Sequence, residues 1–430
     1  MKKLMALLML AVSIPVIAAE IPSSKAEHEG MSSKRLQRIK AMNDRYTETG
    51  KIPGTLTAVV RNGKIVHKSA SGLKTTGGDP IEMDDLFRIY SMSKPITATA
   101  AMQLYEQGMF QLTDPVSMFL PELKNLKVMK NGKVVPAQKQ MTMQQLLTHT
   151  TGLSYGFDPN DQVDQAYLKA DLFSAENLDE FIARVAELPL KFEPGDQWHY
   201  SIAEDVTGLV IQRISGQPFN EYLKEHLFEP LDMKDTFFEV PPEKLGRLLP
   251  NHFVNPATGK AVIDSKDLNP IWFGGCFALC NYEEVSLYSG AAGLVSTLRD
   301  YIRFAEAMRD GELGGVRILS PKTVAFMRTN HLDASIISSG NSGEQPNLVG
   351  QPLGGFGFGL GFGIVTNTAA QGVVGSVGQY YWGGAAGTVF WIDPVEDLVV
   401  VSMMQLMGGW PSYRPDLRVA TYQAIIETNE

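Results

Sequence analysis

The sequence predicts an α+β fold in which one antiparallel sheet is built from both ends of the chain. Strand-like alternation is concentrated near the two termini of the 430-residue chain, whereas helical periodicity dominates from about residue 101 to residue 307. Helix-like stretches also lie close to each terminus, so we expect an N-terminal and a C-terminal helix to flank the sheet. A chain of this length exceeds one compact core, which favours two lobes. We therefore expect a mainly helical lobe inserted into an α/β lobe.

Turn residues support the strand predictions at each end of the chain. Two pairs of strand-like runs stand out, residues 55–60 with 64–69 and residues 387–392 with 398–404. Asn62-Gly63 separates the first pair, and this dipeptide predicts a hairpin because both residues tolerate positive φ. Asp393-Pro394 breaks the second pair apart. The predicted helices nearest the termini cover residues 33–50 and about 414–426.

The domain boundaries follow from these predictions. We expect an α/β lobe formed by residues 20–110 and 290–430, a mainly helical lobe formed by residues 111–289, and an active site in the cleft between them. Residues 333–355 are polar and rich in Gly, Ser and Asn, and a loop of that length is typically functional or mobile.

The N-terminus has the features of a secretory signal peptide. Lys2 and Lys3 precede an uncharged apolar run over residues 4–19, which ends in Ala18 and Ala19. The run is short for a membrane span, no nearby Cys suggests a lipid anchor, and no later segment offers about 20 uninterrupted apolar residues. We expect removal of residues 1–19 and a periplasmic or secreted protein with no stable membrane anchor.

Composition and charge argue against several classes of function. The net charge is −9, and loss of the two lysines within residues 1–19 makes it −11. Nucleic-acid binding requires clustered Lys and Arg, so we expect no nucleic-acid partner. The seven histidines show no metal-ligand spacing, and we expect neither a metal nor an organic cofactor. Oligomeric state is left open by the sequence.

Cys276 and Cys280 are the two cysteines of the chain. In an oxidising compartment they could form a disulfide, although a separation of one helical turn is near the upper limit of a disulfide's Cα distance. Two buried thiols are the equally favoured alternative.

The run Ser91-Met92-Ser93-Lys94-Pro95 is the strongest candidate for catalytic chemistry. Proline is tolerated in the first turn of a helix, so Pro95 places Ser91 at a helix N-terminus. Lys94 is then on the same face, where a partly buried amine can lose its proton and act as base toward the Ser91 hydroxyl. Taken alone, however, Ser-x-x-Lys is a weak signal, and a capping serine with a solvated lysine is its commoner meaning.

Two further motifs follow Ser-x-x-Lys along the chain. Tyr200-Ser201-Ile202 leads into a predicted helix, and Trp382-Gly383-Gly384 leads into the penultimate predicted strand. With these three motifs in order, the chain resembles the serine β-lactamase and penicillin-binding protein superfamily from about residue 33 to the end. It is most similar to the class C-like branch that includes the family VIII carboxylesterases. The resemblance implies an α/β sandwich of the β-lactamase/transpeptidase-like type.

The resemblance also implies roles for individual residues. Ser91 matches the nucleophile, Lys94 its general base, and Tyr200 a second proton-transfer group that protonates the departing alcohol. The backbone N–H groups of Ser91 and Ala385 match the oxyanion hole, which stabilises the negative charge of the tetrahedral intermediate.

Two departures from the superfamily's motifs indicate the substrate class. Ile202 stands where Tyr-x-Asn has an amide, and Trp382 stands where Lys-Thr-Gly has a cation that holds the substrate carboxylate. A charge-assisted contact of that kind is worth about 1.5–3 kcal/mol. An aromatic-walled cleft suits neutral esters better than anionic lactams, and both departures match the family VIII esterases. We therefore expect a carboxylesterase that cleaves a small-molecule ester through a Ser91 acyl-enzyme.

Two alternatives to an esterase remain open. One is a class C-type β-lactamase or D-Ala-D-Ala carboxypeptidase, which would use the same acylation machinery. The other is a non-catalytic binding protein on the same fold, against which the intact Ser91, Lys94 and Tyr200 argue.

A competing motif is present in Gly152-Leu153-Ser154-Tyr155-Gly156, which satisfies the Gly-x-Ser-x-Gly pattern of a nucleophile elbow. That elbow must follow a buried strand and open a helix, whereas this stretch follows helix-like residues 143–149 and precedes a loop sequence. We therefore expect Ser154 and Tyr155 to line the cleft. The other predicted substrate-binding residues are Ile202, Trp382, Gly383 and Gly384. His149 and His199 are expected to have structural roles.

Overall fold

The computed structural model describes residues 17–263, 282–333, 335–336 and 354–429. The predictions for Cys276 and Cys280, for most of the apolar N-terminal run and for most of the loop 333–355 lie outside these residues. Within the described ranges, every helix is too short or too polar to cross a lipid bilayer.

The longer strands lie near the two ends of the chain, and most of the helices lie between them, as the sequence predicts. The α-helices are α1 (Ser33–Glu48), α2 (Ser93–Glu106), α3 (Met143–Leu147), α4 (Gln162–Ala170), α5 (Leu178–Ala186), α6 (Ala203–Ser215), α7 (Phe219–Leu223), α8 (Leu298–Asp310), α9 (Pro321–Met327), α10 (Thr368–Gln371) and α11 (Tyr413–Tyr422). The strands are β1 (Gly54–Arg61), β2 (Lys64–Gly72), β3 (Phe87–Arg88), β4 (Lys127–Lys130), β5 (Lys133–Pro136), β6 (Pro189–Leu190), β7 (His252–Val254), β8 (Ala261–Ile263), β9 (Val295–Ser296), β10 (Glu312–Leu313), β11 (Val316–Arg317), β12 (Phe356–Phe358), β13 (Gly363–Val365), β14 (Tyr380–Gly383), β15 (Val389–Asp393) and β16 (Leu398–Met404).

A seven-stranded antiparallel sheet joins the two ends of the chain. Its strand order is β12-β13-β14-β15-β16-β1-β2. The N-terminal β1 pairs with the C-terminal β16 from Thr55↔Met404 to Arg61↔Leu398. All residues of β1 and β16 are buried, which is expected of central strands covered on both faces. The predicted α+β fold is therefore confirmed.

The predicted hairpin turns form as the local sequence indicates. Asn62 and Gly63 adopt φ values of 52° and 69°, the left-handed pair that a type I′ turn requires between β1 and β2. At the other end, the Asp393 carboxylate accepts a hydrogen bond from the Val395 N–H at 3.1 Å. This side-chain contact turns the chain between β15 and β16, because Asp mimics a backbone acceptor in such turns.

The terminal helices α1 and α11 pack against one another and flank the sheet. Leu36, Ile39 and Met42 of α1 are buried, and its first turn is capped by the Ser32 hydroxyl. A buried Tyr413 of α11 ties the layers together, since its hydroxyl lies 2.9 Å from the hydroxyls of Thr55 and Ser402. Helix α11 ends at Tyr422, four residues before the predicted end.

Helices α2 to α7 fill the middle of the chain, as the helical periodicity predicts. Helix α2 packs along α6, and both are buried through most of their length. Strand β3, just before α2, pairs with β9, just before α8, so that the start of α2 is fixed close to residues 289–296. This arrangement positions the three sequence motifs. The lobe boundaries at residues 110 and 290 remain a prediction.

Candidate active site

Ser91 lies in a short 3-10 turn, Tyr90–Met92, directly before α2. The preceding Tyr90 is buried and has a φ of 44°, a conformation that is strained for a bulky side chain and costs about 1–3 kcal/mol. Its hydroxyl accepts a hydrogen bond from the Asn251 side chain at 2.6 Å. The packed and hydrogen-bonded ring of Tyr90 therefore helps to hold a sharp backbone turn that directs Ser91 away from β3.

Lys94 is buried beside Ser91. Its Nζ atom lies 3.3 Å from the Ser91 Oγ atom and donates a hydrogen bond to the Ala291 carbonyl at 2.9 Å. Burial lowers the pKa of the Lys94 ammonium to about 7, although the nearby carboxyls of Asp205 and Glu204 oppose this shift. An amine with a pKa near neutrality is partly deprotonated at physiological pH, so it can accept the proton of the Ser91 hydroxyl.

Tyr200 lies beside Lys94, two residues before Ile202, the N-cap of α6. The Lys94 Nζ atom is 4.5 Å from the centre of the Tyr200 ring. Burial raises the pKa of the Tyr200 phenol, whereas the Ser91 and Trp382 side chains act in the opposite direction. The Tyr200 hydroxyl lies near the Ser91 and Trp382 side chains. It nevertheless makes no hydrogen bond of acceptable geometry with any of the described residues. Catalytic hydrogen bonds are often long in a substrate-free site and shorten when substrate binds.

The two N–H groups predicted for the oxyanion hole are available. Among the described hydrogen bonds, neither the Ser91 nor the Ala385 N–H donates to a protein acceptor. Gly384 allows the end of β14 to approach the Ser91 turn, because a Cβ atom at this position would lie 2.4 Å from the Ile89 carbonyl oxygen. Two N–H donors close to a serine hydroxyl can stabilise an oxyanion.

Aromatic rings surround Lys94 and Tyr200. Trp382 is buried, and its ring centroid lies 5.5 Å from that of Tyr200 and 5.3 Å from that of Phe358. The half-buried Tyr155 ring is 5.4 Å from Tyr200, and Lys94 Nζ is 5.2 Å from its centre. The position that carries a cation in Lys-Thr-Gly motifs is therefore occupied by an indole inside an aromatic cluster.

The other predicted substrate-binding residues differ in their surroundings. Ile202 is fully buried in the hydrophobic core at the start of α6. The Cβ position of Gly383 faces the Arg414 guanidinium, at 2.5 Å from one of its nitrogens. Their roles toward a substrate remain predictions.

Ser154 is fully buried in a polar cluster. Its hydroxyl donates to the Asp164 carboxylate at 2.5 Å and lies 3.1 Å from the Nε2 atom of His199. Lys191 forms an ion pair with the same carboxylate at 3.0 Å. A nucleophilic triad needs the histidine between serine and carboxylate, whereas here the serine lies between the other two. Residues 150–160, all described, form a loop after α3, which is the context the sequence predicted for this motif.

His149 and His199 have structural contacts. His149 is buried, and its Nδ1 atom lies 3.2 Å from the Ser201 hydroxyl. Burial lowers the pKa of both imidazoles, which favours their neutral forms.

Sequence reasoning missed an acidic pair in the first turn of α6. Glu204 and Asp205 are fully buried near Lys94, and burial raises the pKa of Glu204 to about 8 and that of Asp205 to about 6. Two acidic residues in the first turn of a helix normally complement the helix dipole at the surface. The available signal was their position four and five residues after Tyr200, just before the mostly apolar stretch 206–211.

A cavity of about 720 Å³ lies elsewhere, beside α7 and residues 228–239. None of Ser91, Lys94 or Tyr200 lines it. The Ser91 group, unlike the residues that line this cavity, combines the predicted nucleophile, base and oxyanion donors.

The α+β fold and this site define the protein as a serine hydrolase of the β-lactamase fold. A sequence profile of the Beta-lactamase family matches residues 38–424, and the chain belongs to that family. The predicted resemblance to the serine β-lactamase and penicillin-binding protein superfamily is confirmed.

Three named proteins show how similar this chain is to others in sequence and in structure. Esterase EstB of Burkholderia gladioli is 30% identical over 372 residues, which cover 85% of this chain and 88% of EstB. The structure of EstCE1, described as a hydrolase with promiscuous acyltransferase activity, has a TM-score of 0.77 and 25% identity over 90% of this chain and 99% of EstCE1. Simvastatin synthase (LovD) of Aspergillus terreus shares the fold, with a TM-score of 0.76 at 23% identity, over 90% of this chain and 98% of LovD.

Proposed function

We propose that the protein is a carboxylesterase of the family VIII type that cleaves small neutral esters through a Ser91 acyl-enzyme. The observation that carries this proposal is the aromatic cluster around Lys94 and Tyr200, in which Trp382 is buried at the position that holds a cation in Lys-Thr-Gly motifs. An indole offers no charge to a substrate carboxylate, but it packs well against an acyl or alkyl group. Similarity to Esterase EstB supports the same substrate class.

The proposed acylation step begins with neutral Lys94. Its Nζ atom takes the proton of the Ser91 hydroxyl, 3.3 Å away, as Oγ attacks the ester carbonyl. The Ser91 and Ala385 N–H groups stabilise the resulting oxyanion. Tyr200 gives a proton to the alcohol oxygen as the C–O bond breaks, and it is reprotonated from Lys94. Acylation therefore leaves the acyl group on Ser91 and releases a neutral alcohol.

Deacylation repeats these proton transfers with water as the nucleophile. Neutral Lys94 accepts a proton from the water as its oxygen attacks the acyl carbonyl, Tyr200 gives a proton to the Ser91 Oγ atom as the acyl C–O bond breaks, and Tyr200 is reprotonated from Lys94 as the carboxylic acid leaves. Because Lys94 must begin neutral, kcat/KM is expected to rise with pH through the lysine's pKa of about 7 and to fall below it.

Parallel assays with a short-chain aryl ester and a cephalosporin test the substrate class. We expect a kcat/KM at least about tenfold higher for the ester, because the cephalosporin carboxylate lacks a partner worth about 1.5–3 kcal/mol. Faster turnover of the cephalosporin would instead establish the β-lactamase alternative.

Acyl transfer to an alcohol is a second candidate function. The names of EstCE1 and LovD associate this fold with acyltransferase activity or a synthase, and aromatic rings beside the site suit the alkyl part of an alcohol better than water. With an ester donor and increasing acceptor alcohol, the transferase predicts a growing fraction of new ester, measured by chromatography. Formation of acid alone at saturating alcohol would exclude it.

We further propose that the protein is exported, on the basis of the charged, apolar and small-residue regions of its first 19 residues. N-terminal sequencing of protein recovered from the periplasm or medium tests this proposal. A mature chain that begins near residue 20 is expected, and an intact Met1 on cytoplasmic protein would contradict it.

A further inference from the structure

The loop Ser289–Leu294 forms one wall of the base site. Its Ala291 carbonyl accepts the hydrogen bond of the Lys94 ammonium at 2.9 Å. Helix α2 holds this loop from one side, because the Ser93 hydroxyl accepts from the Leu294 N–H and the Thr97 hydroxyl donates to the Gly290 carbonyl. The position of Lys94 therefore depends on a segment about 200 residues away in the sequence.

Asp205 holds the same loop from the side of α6. One oxygen of its carboxylate accepts from the Ser289 hydroxyl at 2.5 Å and from the Ala291 N–H at 3.1 Å. The N–H and the carbonyl of Ala291 thus connect Asp205 on one side to Lys94 on the other. The Asp205 and Lys94 side chains make no ion pair within 4.0 Å, so the contact between them runs through the loop.

The packing around this connection leaves little freedom. Asp205 is 1% exposed, and Ala291 is fully buried. A Cβ atom on Gly290 would lie 2.4 Å from the backbone carbonyl of Glu204, so the loop lies directly against the first turn of α6. The loop supplies two hydrogen bonds to one oxygen of this carboxylate, whereas the other oxygen is buried without a hydrogen-bond partner among the described residues.

We propose that Asp205 is a positioning residue that fixes the Ser289–Leu294 loop and, through it, the location of the general base Lys94. This inference rests on the proposed function of Lys94. Asp205 does not contact the nucleophile or an acyl group. It acts by setting where the Ala291 carbonyl lies and by placing a negative charge near the ammonium.

Other charged or titratable groups also face Lys94. Glu204 contributes from α6, Tyr200 from the segment before α6, Tyr155 from the 150–160 loop and His149 from the turn after α3. Glu204 serves as a natural control for Asp205. It is equally buried and adjacent in sequence, but none of the described hydrogen bonds joins its carboxyl to the loop.

The two acids also differ in charge at neutral pH. A pKa of about 6 leaves Asp205 ionised at pH 7, whereas a pKa of about 8 leaves Glu204 mostly protonated. Asp205→Asn therefore removes a charge and keeps an oxygen that can accept both loop hydrogen bonds. Glu204→Gln changes neither the charge at pH 7 nor the loop contacts.

The test compares D205A, D205N and E204Q in the full chain, by the pH profile of kcat/KM for an aryl ester and by the rate at which a fluorophosphonate labels Ser91. We expect D205A to lose about 10- to 100-fold in kcat, because the base is displaced from the nucleophile. D205N should have a kcat close to that of the wild type. The acid limb of its profile, the pH range in which kcat/KM rises with pH, should move to lower pH because Lys94 has lost a negative neighbour. E204Q should move the acid limb less than D205N does, because Asp205 raises the pKa of Lys94 more than Glu204 does.

Ser289→Ala provides a second route if D205A fails to fold. It removes one anchor of the loop and keeps the carboxylate, so a smaller loss of kcat in the same direction is expected. Wild-type rates in D205A, or an unmoved acid limb in D205N, would overturn the positioning role while leaving the esterase proposal intact. Absence of ester turnover and of Ser91 labelling in the wild type would instead refute the proposed function.

Discussion

At the scale of single residues, two serines compete for the role of nucleophile, and their hydrogen bonds distinguish them. The Ser154 hydroxyl donates to Asp164 inside the fold, whereas the Ser91 hydroxyl lies 3.3 Å from the buried Lys94 Nζ atom. Among the described residues, the N–H groups of Ser91 and Ala385 donate to no protein acceptor. A serine whose hydrogen is held by a buried carboxylate is a poor nucleophile toward an external carbonyl, because attack would leave that carboxylate unpaired.

Ser154→Ala is expected to leave kcat/KM for an aryl ester within about threefold of the wild type. It should lower the free energy of unfolding by about 1–3 kcal/mol, because Asp164 and His199 each lose a buried hydrogen-bond partner. Chemical denaturation measures the stability, and steady-state kinetics measure the activity. A loss of activity as large as that of Ser91→Ala would contradict the assignment of the nucleophile.

The sequence predicts the candidate catalytic residues better than it predicts the residues that hold them in position. Ser91, Lys94 and Tyr200 lie in short motifs whose order along the chain is informative. Asp205 and Ala291 belong to no such motif, and their contact joins segments 86 residues apart. Only the packing of α6 against the 289–294 loop brings them together, and local patterns do not encode it.

At the scale of secondary structure elements, the end of β14 shapes the site. Strand β14 brings Trp382 to the aromatic cluster, and the chain then passes close to the Ser91 turn at Gly384. Residue 384 has no room for a side chain, since a Cβ atom would meet the Ile89 carbonyl and the Thr388 hydroxyl at 2.4 and 2.2 Å.

Gly384→Ala is therefore expected to separate β14 from the Ser91 turn and to reduce kcat by about 10- to 100-fold through misplacement of the Ala385 N–H. Gly246→Ala is a matched control, because a Cβ atom there meets nothing within 4 Å. If both variants show wild-type kcat, the close approach at Gly384 has no part in the oxyanion hole.

Local elements were predictable where turn chemistry is specific. Asn62-Gly63 predicts the β1–β2 hairpin, and the span of α1 differs from its prediction by only two residues. The strand order is a different matter, because β1 pairs with β16 across more than 330 residues of chain. Alternating patterns identify both strands but do not say which one is the partner of the other.

At the scale of the whole molecule, stability is coupled to pH through buried acids. The carboxyl oxygens of Glu204 are buried without a hydrogen-bond partner among the described residues, and burial raises its pKa from 4.5 to about 8. A carboxyl that holds its proton more tightly in the folded state destabilises the fold as pH rises between the unfolded and folded pKa values. Glu204 should therefore weaken the fold progressively from about pH 4.5 to pH 8.

Glu204→Gln removes this dependence while keeping the side-chain shape. We expect the variant to be more stable than the wild type by a few kcal/mol at pH 8 to 9, and nearly equal at pH 4.5. Thermal unfolding at several pH values measures the difference. If the variant and the wild type differ in stability by the same amount at every pH in this range, Glu204 does not titrate as its burial predicts.

The central claim is that Ser91 alone carries the acyl group. Mass spectrometry of the full chain after reaction with a fluorophosphonate or a slowly released ester locates the modified residue most directly. We predict one adduct, on the peptide containing Ser91, which is lost in Ser91→Ala and retained in Ser154→Ala. An adduct on Ser154, or undiminished labelling of Ser91→Ala, would contradict the mechanism.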